Sequence, residues 1–540
     1  MSAARRRRTP HGRRLKTGRG ADRAPDLTPA PSPRQAFLVP LALTVGFVLL
    51  SFVPRVQGNA TLIWSFWAAA AVLLVWQAAL FLHVRRQFAG RSFRVELRLQ
   101  HYLQAALQVI LFAYWGWYWR PIYDMVGLMA AQLAFAYVVD MLLAWSRRDH
   151  YVLGFGPVPI TLSINIFLWF RDDWFYLQFL MIAVGFLTKA YVRWQREGRS
   201  VHIFNPSALT LSLFSLVLIA TGTSDLTWGD PIATTLNLGP NAYLVLFLIG
   251  LVVMYYFSIT LIAGFAAAVL FGASALYTAV TGVPFFIDSE IPIAVFLGLH
   301  LLVTDPSTSP RTAFGRIMFG VLYGLGVFGL YELLGLFAQP TFYDKLLPVP
   351  LLNLAVRRID RLAHALGQKA PVQRPWADPI PRRANLAHMA VWILFFGVMA
   401  TRGAADGRHT GDSVRFWEAA CANDLRKGCA TLVLYEVVYC RDGAGWACNE
   451  LGAHFTEGII VNPDPEVAAA LFAQACEQGF EPGCFNTSNP GAPARGDPQV
   501  VDFRLLLSEG GLRLTDWSAG ELYARACEHG WAFACAEGSR

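Results

Sequence analysis

Two places in this chain set an Asn or Asp directly before Pro-Ser within an apolar stretch. They are Asn205-Pro206-Ser207, in HIFNPSALTLSLF, and Asp305-Pro306-Ser307, in HLLVTDPSTSPRTAFGRIMFG. Asn and Asp favour the helix N-cap, and Pro favours the first helical position. Each motif therefore predicts a helix start. A helix start at membrane depth leaves N–H groups that lipid cannot satisfy, so they face protein, water or a ligand. Paired interruptions in the two halves of a membrane protein point to a binding site between them. Asn205 and Asp305 thus have two readings, as plain helix caps and as parts of a ligand site.

The second chemical signal is cysteine. All eight cysteines lie after residue 420, as four C-x7-C pairs: Cys421/Cys429, Cys440/Cys448, Cys476/Cys484 and Cys527/Cys535. An even count at one repeated spacing, confined to one segment, predicts a disulfide framework in an oxidising compartment. Metal ligation fits less well, because the spacing is not C-x2–4-C and no paired His accompanies it. No metal site is expected.

Other polar groups in or near apolar runs are Asp140, Lys189 and Glu332, with His202 and His300 just ahead of the two motifs. Intramembrane ionisable groups are functional suspects. Asp140 and Lys189 stand near span ends and can snorkel, which leaves Glu332 the more interesting of the three. The histidines show no facing pair of the kind haem requires. Before residue 420 there is no Cys, so no Cys-ligated iron–sulfur cluster is expected there. Walker A and dinucleotide fingerprints are missing as well. Any electron donor would be another protein.

These residues must be held by membrane spans. The 540-residue chain is 55% hydrophobic and only 15% charged, which predicts a polytopic membrane protein. Apolar runs fall near 36–53, 61–84, 102–119, 121–145, 152–170, 175–192, 203–222, 241–259, 260–282, 289–303 and 317–337, with weaker ones near 344–356 and 385–401. Residues 1–34 carry nine Arg and one Lys against two Asp. Next to a span, that tail is better explained by inside-positive topology and anionic lipid than by nucleic acid. Base-rich connections alternate with base-poor ones such as VQGNA, RDDW and TGVPFFIDSEIP. This alternation places the N-terminus in the cytoplasm and the cysteine-rich segment outside.

The expected organisation is a basic tail over 1–35, a transmembrane domain over 36–360, a basic linker over 361–384, a final span at 385–401 and a disulfide-bonded domain over 411–540. Within that last domain, Cys440 and Cys476 stand 36 positions apart, and ACEQGFEPGC and ACEHGWAFAC share one pattern. Ala468, Leu471, Phe472 and Ala475 form one apolar stripe at helical spacing. Each C-x7-C would tie the end of one helix to the start of the next. The segment resembles the cysteine-rich Sel-1-like repeats, over about residues 413–540. The resemblance implies an exported α/α solenoid that binds another protein. A minor alternative it implies is binding of cell-wall precursors or β-lactams.

From HIFNPSALTLSLF and TDPSTSPRTAFGRIMFG, with FYDKLLPVPLLNLAVRRIDR after them, residues of about 90–360 resemble a family of membrane proteins from two ion-coupled redox complexes. These are the NqrB component of the sodium-pumping NADH:quinone reductase and the RnfD component of the Rnf electron-transport complex. The resemblance implies an all-α bundle of two inverted halves in a bacterial inner membrane. It also implies flavin, as FMN esterified to a Thr of an outer-face SGAT-type motif and a further flavin, such as riboflavin, within the membrane. The matching loop here is WGDPIATTLNLGP. Thr234 or Thr235 would carry the FMN, although Pro231-Ile232 replace the family's Ser-Gly and remove backbone freedom. Asn205, Ser207, Thr304, Asp305, Ser309 and Arg311 would meet a flavin phosphate, a ribityl chain or a quinone carbonyl. The expected partners are the lipid bilayer, a redox protein or an exported protein, with quinone as a further candidate. Stand-alone relatives resemble proteins of enediyne clusters, so a role in natural-product assembly is a variant. The competing readings are permeation through a transporter or channel, and a cofactor-free scaffold for the repeats.

Overall fold

A computed structural model describes residues 33–87, 91–147, 150–196, 198–369, 380–406, 409–498, 518–528 and 534–535. The basic tail expected over 1–35 lies almost wholly outside these residues. The described residues are mostly helical, and their paired strands are a parallel pair, Ser92–Val95 with His150–Leu153, and a hairpin, Arg193–Arg196 with Arg199–His202.

Five helices are long and apolar enough to cross a bilayer: Ala60–Arg85, Val126–Arg147, Thr260–Thr281, Ala313–Leu336 and Arg382–Thr401. Leu38, Val75, Val217, Val280 and Leu394 are each more than half exposed on apolar helices. An apolar surface on that scale has a natural partner in lipid. Shorter apolar helices, among them Tyr176–Tyr191, pack beside the long ones, and Pro206–Thr221 packs on Tyr176–Tyr191 in turn.

Two expected spans are in fact short helices. The run 152–170 becomes Pro157–Phe167, and 289–303 becomes Ile293–Leu301. Apolarity alone does not say whether a backbone stays helical. After Phe167 the chain turns extended, with Leu168 at φ −159°. The Phe170 N–H then donates to Gln178 Oε1, and the Trp228 N–H donates to the Trp169 carbonyl. Ile293–Leu301 starts behind Pro292, whose carbonyl accepts from the Val295 and Phe296 N–H groups. The weak run at 344–356 is also corrected. It belongs to the helix Pro348–Lys369, which carries the chain into what was expected to be linker.

Helix neighbours follow one scheme twice. Leu99–Tyr118 packs on Pro157–Phe167 as Ala242–Phe257 packs on Ile293–Leu301. Val126–Arg147 packs on Tyr176–Tyr191 as Thr260–Thr281 packs on Ala313–Leu336. Tyr176–Tyr191 then meets Pro206–Thr221 as Ala313–Leu336 meets Pro348–Lys369. Successive connections alternate between two ends. At one end the base-rich loops are tied together by Arg196–Asp360 at 2.8 Å and by Arg316 donating to the Ser258 carbonyl. At the other end Arg55 pairs with Asp172 and Tyr343 donates to Ser224.

The C-terminal domain is helical, with helices at Val414–Ala422, Gly428–Arg441, Gly445–Glu457, Pro465–Glu477, Glu481–Ser488 and Ala519–Glu528. All four disulfides are present, Cys421–Cys429, Cys440–Cys448, Cys476–Cys484 and Cys527–Cys535. The first three join the end of one helix to the start of the next. Helix C-caps explain their common spacing. The third residue after the first cysteine is left-handed in each: Asp424, Gly443 and Gly479. The next N–H reaches back to the residue before that cysteine, from Leu425 to Ala420, Ala444 to Tyr439 and Phe480 to Ala475. This is the Schellman closure of a helix. It reverses the chain and sets two sulfurs face to face. At Gly483 a Cβ would lie 2.5 Å from the Cβ of Ala475, so the returning helix needs glycine there.

This domain docks on the end opposite the base-rich loops. Asp406 accepts from the N–H groups of Tyr243 and Leu244, both at 2.8 Å, and so caps Ala242–Phe257, whose own Asn241 gives no side-chain cap. Gly411 presses on the 283–291 loop, where a Cβ would collide with the Ile287 carbonyl oxygen. Val283 is buried in the core of the cysteine-rich domain beside Trp417. Glu332 meets the same domain, 2.6 Å from Lys427.

Candidate functional site

Asn205 is the N-cap of Pro206–Thr221. Its Oδ1 accepts from the N–H groups of Ser207 at 3.1 Å and Ala208 at 3.3 Å. Its Nδ2 donates to the Leu302 carbonyl at 2.9 Å, and its own N–H donates to Asn353 Oδ1. Asn353 in turn donates to the Thr308 carbonyl. One asparagine therefore starts a helix and fastens it to the segment holding the second motif.

Asp305 behaves differently from expectation. No helix begins there. Its carboxylate closes a turn, accepting from the Ser307 N–H at 2.9 Å and from Thr308 Oγ1 at 3.2 Å. The helix Ala313–Leu336 starts later, capped by Thr312, whose Oγ1 accepts from the Gly315 N–H. Asp followed by Pro-Ser fits an Asx turn as well as a cap, and the following Thr-Ser-Pro run delays the helix.

The two motifs converge on one cavity of about 460 Å³ at the base-rich end. Small-molecule sites span about 300–1,000 Å³. Asn205, Ser207, Thr304 and Asp305 all line it. Ser309 and Arg311 do not. Ser309 is buried, and its carbonyl accepts from Arg196, while the Arg311 N–H donates to Asp360 Oδ1. Both belong to the scaffold under the site.

Other residues join that the sequence pattern passes over or marks as interfacial. His101 and Gln104 come from the start of Leu99–Tyr118, and Ser163 from Pro157–Phe167. Asp140 and Lys189 line the cavity together, 3.8 Å apart, and Tyr151 donates to Asp140 at 3.1 Å. His202 Nε2 lies 3.5 Å from Asp305 Oδ2. At the mouth, hydrogen bonds from Arg94 and Arg98 hold the Glu96 carboxyl below its usual range. Pro157–Phe167 has no side-chain N-cap and needs little capping, because Pro157 and Pro159 carry no N–H and the Val158 N–H donates to the Phe155 carbonyl. The signal for these residues is weak in sequence. His101, Asp140 and Lys189 stand far apart along the chain, on three different helices, and only the packing of the bundle brings them together.

The cavity thus offers hydrogen-bond donors, acceptors and charges of both signs around a space walled in part by Val253, Phe257 and Leu301. It can orient a polar ring or a polyol and neutralise a charge. His300 is not part of it. That ring is buried against Phe296 and Trp392.

Thr234 and Thr235 lie far from this cavity, at the opposite end, in the short helix Gly229–Thr235. Thr235 Oγ1 donates to the Pro231 carbonyl at 2.6 Å and accepts from Trp115 Nε1 at 3.3 Å. Thr234 is exposed, and its hydroxyl rests on the Asp230 carbonyl at 3.0 Å. Beneath them Trp115, Trp119, Trp169 and Trp228 form one aromatic cluster, with Trp119 and Trp169 stacked at 5.7 Å. No cluster of three His, Cys, Asp or Glu arranged for a metal occurs among the described residues.

The chain matches no protein-family model, no curated protein and no solved structure.

Proposed function

We propose that this is a bacterial inner-membrane protein of the NqrB/RnfD type that binds a flavin in the cavity between its two Pro-Ser motifs and passes electrons within the membrane. The observation that carries the reading is the convergence of Asn205, Ser207, Thr304 and Asp305 on one polar cavity. Its volume suits a heterocycle, and its edges present hydrogen-bonding side chains to a ring such as that of riboflavin or FMN. His101, Ser163 and Ser207 would orient the ring and its side chain. Asp140, Lys189, His202 and Asp305 would balance charge there. A bound flavin supplies one- and two-electron chemistry; the protein supplies position and electrostatics. The twofold scheme of helix neighbours supports two related, inverted halves.

The base-rich loops gather at one end and the disulfides at the other, which supports a cytoplasmic N-terminus and an extracytoplasmic repeat domain. In that reading the cysteine-rich helices form a Sel-1-like solenoid that binds a partner protein. Thr234, exposed at the outer end, would be the attachment point for a second flavin, because Thr235 is held on both sides.

The test is an absorbance spectrum of the protein purified in detergent. Flavin bands are expected, and their absence overturns the reading. A second reading, permeation of a small polar solute, is favoured by the two short helices, a device of transport proteins. Solute uptake into vesicles separates it from the first.

A further inference from the structure

The cysteine-rich domain holds a second cavity, of about 960 Å³, lined from Val414–Ala422, Gly428–Arg441, Gly445–Glu457 and the 495–498 segment. Its floor is ionic. Glu450 and His454 line it with side chains only 8% and 6% exposed. Behind them His454 Nε2 lies 3.1 Å from Glu436 Oε1, and the Glu436 side chain is 3% exposed. Arg495, at the rim, pairs with Glu450 and stands 2.7 Å from Glu457.

These contacts leave three buried polar atoms, Glu450 Oε1, Glu436 Oε2 and His454 Nδ1, with no hydrogen-bond partner among the described residues. Buried polar atoms are nearly always satisfied, and a bare carboxylate oxygen is the costliest exception. Of these groups Glu450 and His454 line the cavity, and a carboxylate oxygen left bare there calls for a donor, best a charged one. Burial pushes the carboxyls of both Glu436 and Glu450 up, against the neighbouring His454 and Arg495, which draw them down. A metal ion does not fit, since no three-ligand cluster exists among the described residues. Leu432, Ile459 and Ile460 line the same cavity. An apolar wall beside buried carboxylates suits a side chain with a methylene stem and a cationic head.

We propose that this groove binds a lysine or arginine side chain of an extended polypeptide segment, its head on Glu450 and its stem against Leu432 and Ile460. The cavity is large enough to take neighbouring residues of the segment as well. The inference takes up the reading of this domain as a partner-binding module and does not depend on what the membrane cavity holds.

Calorimetric titration of the full-length protein in detergent tests it. The probes are acetyl-Gly-Lys-Gly-amide, its arginine counterpart, and the same peptide with norleucine or aspartate at the centre. Saturable binding is expected for the lysine or arginine peptide, and binding at least about tenfold weaker for the other two. Glu450→Gln should weaken the cationic peptide by about tenfold or more. So should Glu418→Lys, an exposed change at the groove rim that leaves the core untouched. Glu466→Gln, on another helix, should change nothing. Absence of saturable binding overturns the proposal, and so does equal binding of the norleucine peptide or wild-type binding by both groove variants. The flavin spectrum of the same samples shows independently whether the membrane reading stands.

Discussion

His202 Nε2 and Asp305 Oδ2 stand 3.5 Å apart, so the strand leading into one Pro-Ser motif is paired with the carboxylate of the other. Asp305 also closes its own turn through Ser307 and Thr308. Asp305→Asn keeps an oxygen for the turn but removes the charge facing His202. It should leave the thermal midpoint within about a degree or two and, if the cavity holds the proposed flavin, weaken its retention about tenfold, read as bound flavin per protein after gel filtration. Full retention would show that the carboxylate serves the turn alone.

Asn205 is a stronger structural test. Alanine there removes a helix cap and strands the Leu302 carbonyl, which now accepts from Nδ2. The expected loss is roughly 2–4 kcal/mol, the sum of a cap and a buried unsatisfied group. Asn205→Asp keeps the cap but not the donor and should fall between. Thermal unfolding in detergent ranks the three.

Thr234 and Thr235 differ in freedom. If the outer end carries a flavin ester, Thr234→Ala should abolish fluorescence of the denatured band in a gel, and Thr235→Ala should preserve it. The reverse result would mean that the Trp115 and Pro231 contacts of Thr235 open to admit the group.

Glu332 joins the membrane helices to the cysteine-rich domain through Lys427 at 2.6 Å. Both side chains are partly exposed, so the pair is worth under about 1 kcal/mol. Glu332→Gln should change the melting point little. Lys427→Glu sets two like charges together and should speed hydrogen exchange in the 283–291 loop.

Burial raises the Glu436 and Glu450 carboxyls in the fold. A raised acid binds its proton more tightly folded than unfolded. Stability from these groups is therefore fully present below the ordinary carboxylate value and is lost as pH climbs through the raised one. Exchange protection of the cysteine-rich domain, corrected for chemistry, should be higher at about pH 5 than at about pH 8. Glu436→Gln should flatten that slope.

Much of this architecture is written locally. The alternation of base-rich and base-poor loops survives as two distinct ends, and the C-x7-C spacing survives because a helix cap and a tight return fill the residues between the cysteines. Asn205 is legible for the same reason, since a cap is set by its neighbours. Asp305 is not, because Asp-Pro-Ser serves a turn equally well and only the Thr-Ser-Pro sequence beyond it decides. The short helices hide within apolar runs that hydropathy alone cannot divide, and the extended stretch after Phe167 is held by partners outside the run, Gln178 and Trp228. The cavity residues His101, Asp140 and Lys189 carry no shared pattern, and the groove around Glu450 depends on how separate helices stack.

The hold of Gly411 and His409 on Ile287 bears on how the protein is made. His409 Nδ1 and the Ile287 oxygen it meets are 122 residues apart in the chain. During synthesis this contact can form only after the last apolar helix and the stretch beyond it have been made. Until then the loop ahead of Ile293–Leu301 rests on earlier partners, Tyr243 donating to the Ile291 carbonyl and Phe328 stacked on Phe285, so the second half closes in two steps, an early hold from its own helices and a late clamp from the C-terminal domain.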